Sequence, residues 1–294
     1  MSLWAFFYRR IAMKTNRFLV AFVFVSFLVV APAAFGDTIA YVSWSYSALP
    51  SPNSLIWKVD LDTQEITTVA SFSQSQMSSL KIAVSPIDNK LSAMSSGTGT
   101  NLWEIDPTMG TISPVWGISP CGVMAFAPDG ELYTHTGQRQ KLAKYDIAQQ
   151  TGGSFGIALP TGFPNPFGFA INNEGEAIVV DNYQGFYSVN LSNGAFTTIG
   201  SVAGLPSPTI RGLACDYDTD RFIGVSDYGI FNIDIDTMTA TQLMSFTPPV
   251  GANGTTNYQG RGIAIESSVP EPTTATLLMS GLIVASLRRF RHRK

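Results

Sequence analysis

Charge is scarce in this chain and histidine scarcer still: Asp, Glu, Lys and Arg make up 13% of the 294 residues, and there are two histidines. Cations are rarest in the middle. Of the 18 Lys and Arg, Arg9, Arg10, Lys14 and Arg17 stand at the front, and Arg288, Arg289, Arg291, Arg293 and Lys294 at the back. Asp37 to Pro272 is left with nine cations against all 21 acids, a net charge of about −12. Such a surface excludes nucleic acid as a partner, because neutralising phosphates takes a cationic patch. Two cysteines, Cys121 and Cys215, are too few for a disulfide scaffold. His135 is the single histidine outside the basic tail, and no Ser/His/Asp constellation or His-rich metal cluster can be assembled around it.

What is abundant is apolar: 45% of residues are hydrophobic. With so little charge, this fits strands packed on both faces together with short membrane-directed segments. At the front, Lys14 and Arg17 precede an apolar run from Phe18 to Val30, followed by Ala31, Ala33, Ala34 and Gly36. That is the layout of a secretory signal peptide over residues 1–36, with Met13 the expected initiator and cleavage expected between Ala33 and Asp37. An uncleaved membrane anchor is the alternative, against which the run is short for a spanning helix of roughly 20 residues.

The C-terminal segment, 267–294, reads Val269-Pro270-Glu271-Pro272, then an apolar run from Thr273 to Leu287 containing Gly281, then Arg288-Arg289 and further cations. A basic cluster after an apolar run holds that end on the cytoplasmic side while the body is exported. The order of proline-glutamate-proline, apolar segment with an inner glycine, and arginine cluster resembles the PEP-CTERM sorting signal of Gram-negative bacteria. The resemblance implies recognition by an exosortase, a membrane-embedded cysteine transpeptidase-like enzyme, after passage through the secretion translocon. It also implies transient inner-membrane anchoring, then removal of the tail and delivery to the cell surface or outside the cell, in systems linked to exopolysaccharide and biofilm. Pro270 and Pro272 favour an extended backbone around Glu271 that a protease cleft can accept.

Between these addresses a pattern recurs every 40 to 46 residues: "LIWKVD" ending at Asp60, "NLWEID" at Asp106, "KLAKYD" at Asp146, "GFYSVN" at Asn190 and "GIFNID" at Asp234. A second element places alanine at 83, 125, 170, 214 and 264, small residues where strands would crowd a common axis. Its fifth copy follows the last "NID", while the first "LIWKVD" has none before it. The inner strand near Gly262–Glu266 should therefore complete the sheet begun by Thr38–Phe72. Pro128-Asp129-Gly130, Asn173-Glu174-Gly175 and Ser192-Asn193-Gly194 supply hairpin chemistry between strands. The predicted fold is all-β, a five-bladed β-propeller over 37–266, or six blades if residues 37–52 hide an irregular unit. A β-sandwich is the runner-up, but it gives no reason for the displaced copy.

Cys215 follows the repeated alanine and reads as a small buried hydrophobe, while Cys121 belongs to a non-adjacent blade, so no disulfide is expected. The Asp-rich pieces at Asp60, Asp216–Asp220 and Asp234 resemble calcium loops, yet fall at hairpins where carboxylates capping their own backbone explain them. His135 is placed in a loop between the second and third strands of blade three. The inner strands bring Lys81-Ile82-Ala83, Val123-Met124-Ala125 and Gly168-Phe169-Ala170 to the axis, with Asp216 the one nearby acid, which disfavours glycoside hydrolysis.

A ligand would meet the face carrying the loops into the inner strands and the loops between second and third strands. That face offers Asp181, Asn182, Tyr183, Arg211, Asp227, Tyr228, Tyr258 and Arg261, with Asn165 and Asn257, a set suited to sugar or peptide recognition. The expectation is a non-enzymatic binding or structural protein of the surface or matrix, with no cofactor or metal and with exopolysaccharide or a surface protein as partner. The alternative is a surface polysaccharide hydrolase or lyase, which requires loop carboxylates such as Asp181 and Asp227 to converge.

Overall fold

The computed structural model describes residues 37–46, 54–72, 80–95, 101–118, 122–136, 141–155, 166–205, 210–247 and 258–267. Residues 1–36, read above as a signal peptide, and 268–294 of the sorting segment lie outside them, as do Asn165, Asn257 and Cys121. The described residues hold twenty strands. In chain order these are β1 (Ile39–Tyr46), β2 (Ser54–Asp60), β3 (Ile66–Phe72), β4 (Leu80–Val84), β5 (Leu91–Ser95), β6 (Asn101–Asp106) and β7 (Thr111–Gly117). There follow β8 (Val123–Phe126), β9 (Leu132–Thr136), β10 (Lys141–Asp146), β11 (Thr151–Phe155), β12 (Pro166–Ile171), β13 (Ala177–Asp181), β14 (Gly185–Val189) and β15 (Phe196–Ser201). The last are β16 (Gly212–Asp216), β17 (Arg221–Val225), β18 (Gly229–Asp234), β19 (Thr239–Ser245) and β20 (Tyr258–Glu266).

They form five antiparallel four-stranded sheets, the blades of a five-bladed β-propeller. Four blades are consecutive in sequence; the first is ordered β20-β1-β2-β3. The chain's last strand thus supplies the inner strand of its first blade, with Ile39 opposite Glu266 and Tyr46 opposite Tyr258. Residues 39–46 are the second strand of blade one, and the described residues form five blades with no sixth. The Tyr41 hydroxyl donates to Glu266 Oε2 at 3.0 Å across this seam, and burial together with the adjacent carboxylate pushes its pKa up.

Burial explains why the repeated strands are apolar on both faces. The core divides into five clusters, each filling the gap between two neighbouring blades. In β1, Ala40, Val42 and Trp44 face blade five while Tyr41 faces blade two. Inner strands such as β4, β12 and β16 are buried almost throughout, because they are covered on both faces and at the axis. The outermost strands β3, β7 and β15 show exposed Thr and Ser instead.

The turns follow their sequence. Asp60 Oδ1 accepts from the N–H groups of Asp62 and Thr63, Asp106 Oδ1 from Thr108 and Met109, and Asp234 Oδ1 from Thr237. These carboxylates cap their own hairpins. Gly130, Gly175 and Gly194 take φ of +84°, +80° and +73°, as their turns demand.

The tightest point is the axis, and here one expectation is refined. The repeated alanines line it, but the closest approaches fall two residues earlier, at Gly168, Gly212 and Gly262. A Cβ on Gly168 would stand 2.6 Å from the Leu213 nitrogen, and one on Gly212 2.8 Å from the Gly262 Cα, backbone atoms that cannot swing aside. Replacing Gly212 by alanine is expected to cost about 1–3 kcal/mol through overpacking. Alanine at Gly153, where an added Cβ would meet nothing within 4 Å, should leave the urea midpoint nearly unchanged. Equal midpoints for the two variants would refute the claim that axial crowding needs glycine.

Candidate functional site

Connections between first and second strands, and between third and fourth, lie at one end of the barrel of blades. Connections between second and third strands, and from one blade to the next, lie at the other, here termed the mouth. The described ones among the predicted loop residues belong to the mouth, but the structure sorts them into different roles.

Asp181, 1% exposed, closes a tight turn. Its Oδ1 accepts from the N–H groups of Tyr183 and Gly185 at 2.7 and 2.8 Å, and its Oδ2 from the Tyr187 hydroxyl at 2.9 Å. Both oxygens are occupied in shaping the hairpin, which leaves the Tyr183 side chain 77% exposed. The next residue, Gln184, accepts from the Ile210 N–H at 3.1 Å, tying this turn of blade four to the start of blade five. Asn182 Oδ1 and Gln184 Nε2 in the same turn are buried without a hydrogen-bond partner.

Arg211 follows Ile210 directly, and its N–H donates to the Val225 carbonyl at 2.8 Å. The guanidinium lies over the Phe167 ring, 5.6 Å from its centroid. Arg211 Nε sits 3.3 Å from Asp227 Oδ1, a charge contact whose N–H is not aimed well enough to make a hydrogen bond. Both side chains are largely buried, so this pair is shielded more than a surface ion pair would be. Tyr228, beside Asp227, is 52% exposed. Its backbone is fixed by its N–H donating to Ser226 Oγ at 3.1 Å and by its carbonyl accepting from the Phe246 N–H at 3.0 Å.

Arg261 occupies the bulge of β20 between the pairs Ser43/Gly262 and Trp44/Gly260. Burial, then repulsion from Arg211, lowers its pKa, and Asp227 partly offsets this. Phe167 occupies the matching bulge of β12, between Pro166 and Gly168. Tyr258 sits at the outer end of β20, opposite Tyr46. The structure therefore brings Arg211, Asp227 and Arg261 into one electrostatic group.

Sequence reasoning missed what joins that group to the axis. Lys81 stands at the inner-strand position held by Gly168, Gly212 and Gly262 in three other blades. It is 8% exposed, and its Nζ donates to the Phe167 carbonyl at 3.2 Å and the Arg261 carbonyl at 2.7 Å. One side chain from blade two thus reaches blades four and one. The signal was present as the single large polar residue at a position otherwise Gly or Val. Below Lys81 the axis is closed to anything but water, since cavities there offer about 10 and 20 Å³ to a water-sized sphere.

A roomier groove of about 530 Å³ lies at the opposite end, between blades two and three. Lys90 Nζ meets Glu104 at 3.1 Å and Asp88 at 3.8 Å there, and Lys144 pairs with Glu131. Asp216, at the end of β16, accepts from Arg221 Nη2 at 2.9 Å and from the Thr219 hydroxyl. Cys215 is a buried free thiol whose pKa is pushed up by burial.

His135 departs from its expected place. It lies within β9, opposite Val123 and Leu142, and is 2% exposed, in a strand rather than in the loop between the second and third strands. Neither ring nitrogen has a hydrogen-bond partner, and burial lowers its pKa to about 4.

No protein-family model matches the chain, and no curated protein matches it. The chain is similar to several solved structures. TolB from Acinetobacter baumannii is 16% identical with a TM-score of 0.48, over 81% of this chain and 68% of that one. A chain of the nidogen/laminin complex is 14% identical with a TM-score of 0.45, over 72% and 77%. A streptogramin B lyase is 13% identical with a TM-score of 0.40, over 72% of each chain.

The buried histidine makes stability depend on pH. The folded state keeps His135 neutral down to about pH 4, whereas the unfolded chain takes up its proton near 6.5. The stabilisation is complete above pH 6.5 and is lost as pH falls towards 4, by up to about 3 kcal/mol. Urea unfolding of His135→Gln should show a flatter slope of stability against pH between 4 and 6.5 than the parent. A parallel slope would show that the imidazole does not titrate in this way.

Proposed function

We propose that this protein is an exported β-propeller that serves at the cell surface or in the extracellular matrix as a non-enzymatic binding component, with its ligand site at the mouth. The carrying observation is the state of the mouth's carboxylates. Asp181 has both oxygens engaged by its own turn, and Asp227 is held against Arg211. A hydrolase or lyase needs an acid and a base or nucleophile free to face the same bond. What the mouth offers instead is fixed cations beside the exposed rings of Tyr183 and Tyr228, which suits recognition. Tyr258 extends the same rim in sequence position.

Export and sorting rest on the two addresses. The signal-peptide layout of residues 1–36 supports passage through the translocon. Pro270-Glu271-Pro272 with Arg288-Arg289 supports handling by an exosortase, transient holding in the inner membrane, and surface delivery. Exopolysaccharide is the partner this route favours.

Two measurements test the reading. In a host with an active exosortase, the parent should appear at the surface or in the medium with its tail removed, and Glu271→Ala should accumulate uncleaved in the inner membrane. Calorimetry against the host's own exopolysaccharide should give saturable heat without release of reducing ends or unsaturated products. Turnover of that polymer would favour the hydrolase or lyase reading and overturn this one.

A further inference from the structure

The ionisable residues are divided between the two ends of the propeller. Of the 21 acids, Glu271 belongs to the tail, and Asp181 and Asp227 stand at the mouth. The other eighteen all precede β1 or stand in or beside the turns of the opposite end, from Asp60 and Asp62 to Asp236 and Glu266. In sequence, residues 47–53, 73–79, 96–100, 119–121, 137–140, 156–165, 206–209 and 248–257 contain no Asp or Glu. Among the described residues, the mouth of this acidic chain carries two carboxylates, Asp181 and Asp227. The described cations at that end are Lys81, Arg211 and Arg261: Lys81 donates to the Arg261 carbonyl, Arg211 Nε lies 3.3 Å from Asp227 Oδ1, and Arg211 and Asp227 both act electrostatically on Arg261.

Desolvated cations crowded in this way raise the local potential, and a bound anion would lower it. Arg211 is posed for the purpose. The Phe167 ring lies against its plane, 5.6 Å from centroid to guanidinium carbon, and Asp227 Oδ1 stands 3.3 Å from its Nε. A guanidinium held by one edge keeps the other for a planar oxyanion, which it meets with two parallel hydrogen bonds. The axis below is too narrow for more than water, so the ligand must lie across the mouth. There it would meet Tyr183 and Tyr228, flat rings exposed for stacking against sugar.

We infer that the mouth binds carboxylate-bearing polysaccharide, a polyuronate, with successive carboxylates on Arg211 and Arg261 and sugar rings against Tyr183 and Tyr228. This inference rests on the binding role proposed above and narrows its ligand from polysaccharide in general to an anionic one. Asp227 sets the specificity: it orients Arg211 while repelling any anion that approaches from its side. The acidic opposite end keeps the polymer from binding elsewhere on the molecule.

The test uses the full-length chain in non-ionic detergent, titrated calorimetrically with hexagalacturonate and with the uncharged cellohexaose. Binding of the uronate but not the neutral hexamer is expected, weakening steeply with salt. Arg211→Gln and Arg261→Gln should each lower affinity about 10-fold or more, the scale of a charged hydrogen bond. Tyr228→Ala should lower it several-fold. Lys90→Gln, at the acidic end, should leave it unchanged, and thermal unfolding of each variant separates lost binding from lost folding. Equal binding of both hexamers would overturn the anionic ligand and leave the binding role standing. Uronate binding indifferent to Arg211 and Arg261 in folded variants would overturn the site. If neither hexamer nor the host polymer binds, both readings fall. Concentration-dependent self-association lost in the arginine variants would then assign the mouth to the acidic end of another copy.

Discussion

Everything in this molecule depends on how closely five sheets can approach one line. Each inner strand must pass its neighbours with backbone nearly touching backbone, and Gly168, Gly212 and Gly262 make that approach by having no side chain. Three glycines in succession leave the mouth end of the axis lined by peptide groups, and peptide groups shut away from water need partners. Lys81 answers both needs. Its stem fills the space that glycine leaves, and its ammonium binds the Phe167 and Arg261 carbonyls from two other blades. A structural device of this kind places a positive charge on the axis, and Arg211 and Arg261 are grouped beside it by the same inner-strand geometry.

The two ends of the propeller therefore differ for reasons that begin in hairpin chemistry. At one end the turns are short, and Asp and Asn are the side chains that close short turns by accepting from their own backbone, as at Asp60, Asp106, Asn190 and Asp234. Repeating the blade repeats the carboxylate. Half of the ten connections that join strands at the mouth are longer than any of these turns, and those five carry no Asp or Glu in their sequence. The polarity of the molecule follows from which turns are tight, before any question of ligand arises.

The architecture was legible because a propeller writes itself repeatedly. The "LIWKVD" and "GIFNID" strands gave the period, and the inner element displaced to 262–266 announced the shared first blade. The candidate site was legible only in part. Arg211, Asp227 and Arg261 could be named from their positions in the repeat, and the structure groups them. Asp181 looked the same in sequence, but its turn engages both of its oxygens, a difference carried by Tyr187 six residues away. Gln184 and Phe167 escaped notice, and Lys81 was placed at the axis without its partners, because their roles lie between blades, where periodicity compares residues without bringing them together. His135 was misplaced because a strand of Thr, His and Thr has no hydrophobic alternation to mark where it ends.

The shared first blade also imposes an order on assembly. Until residues 258–266 have been made, β1 has an open edge and the Tyr41 hydroxyl lacks its acceptor on Glu266, a partner 225 residues away. Four blades can form as the chain lengthens, but the ring waits for its final strand. That strand ends at Glu266, four residues before Pro270. The last stitch of the propeller and the segment proposed above as its sorting signal are thus adjacent in the chain, so a chain extended to Pro270 already includes the strand that closes its ring.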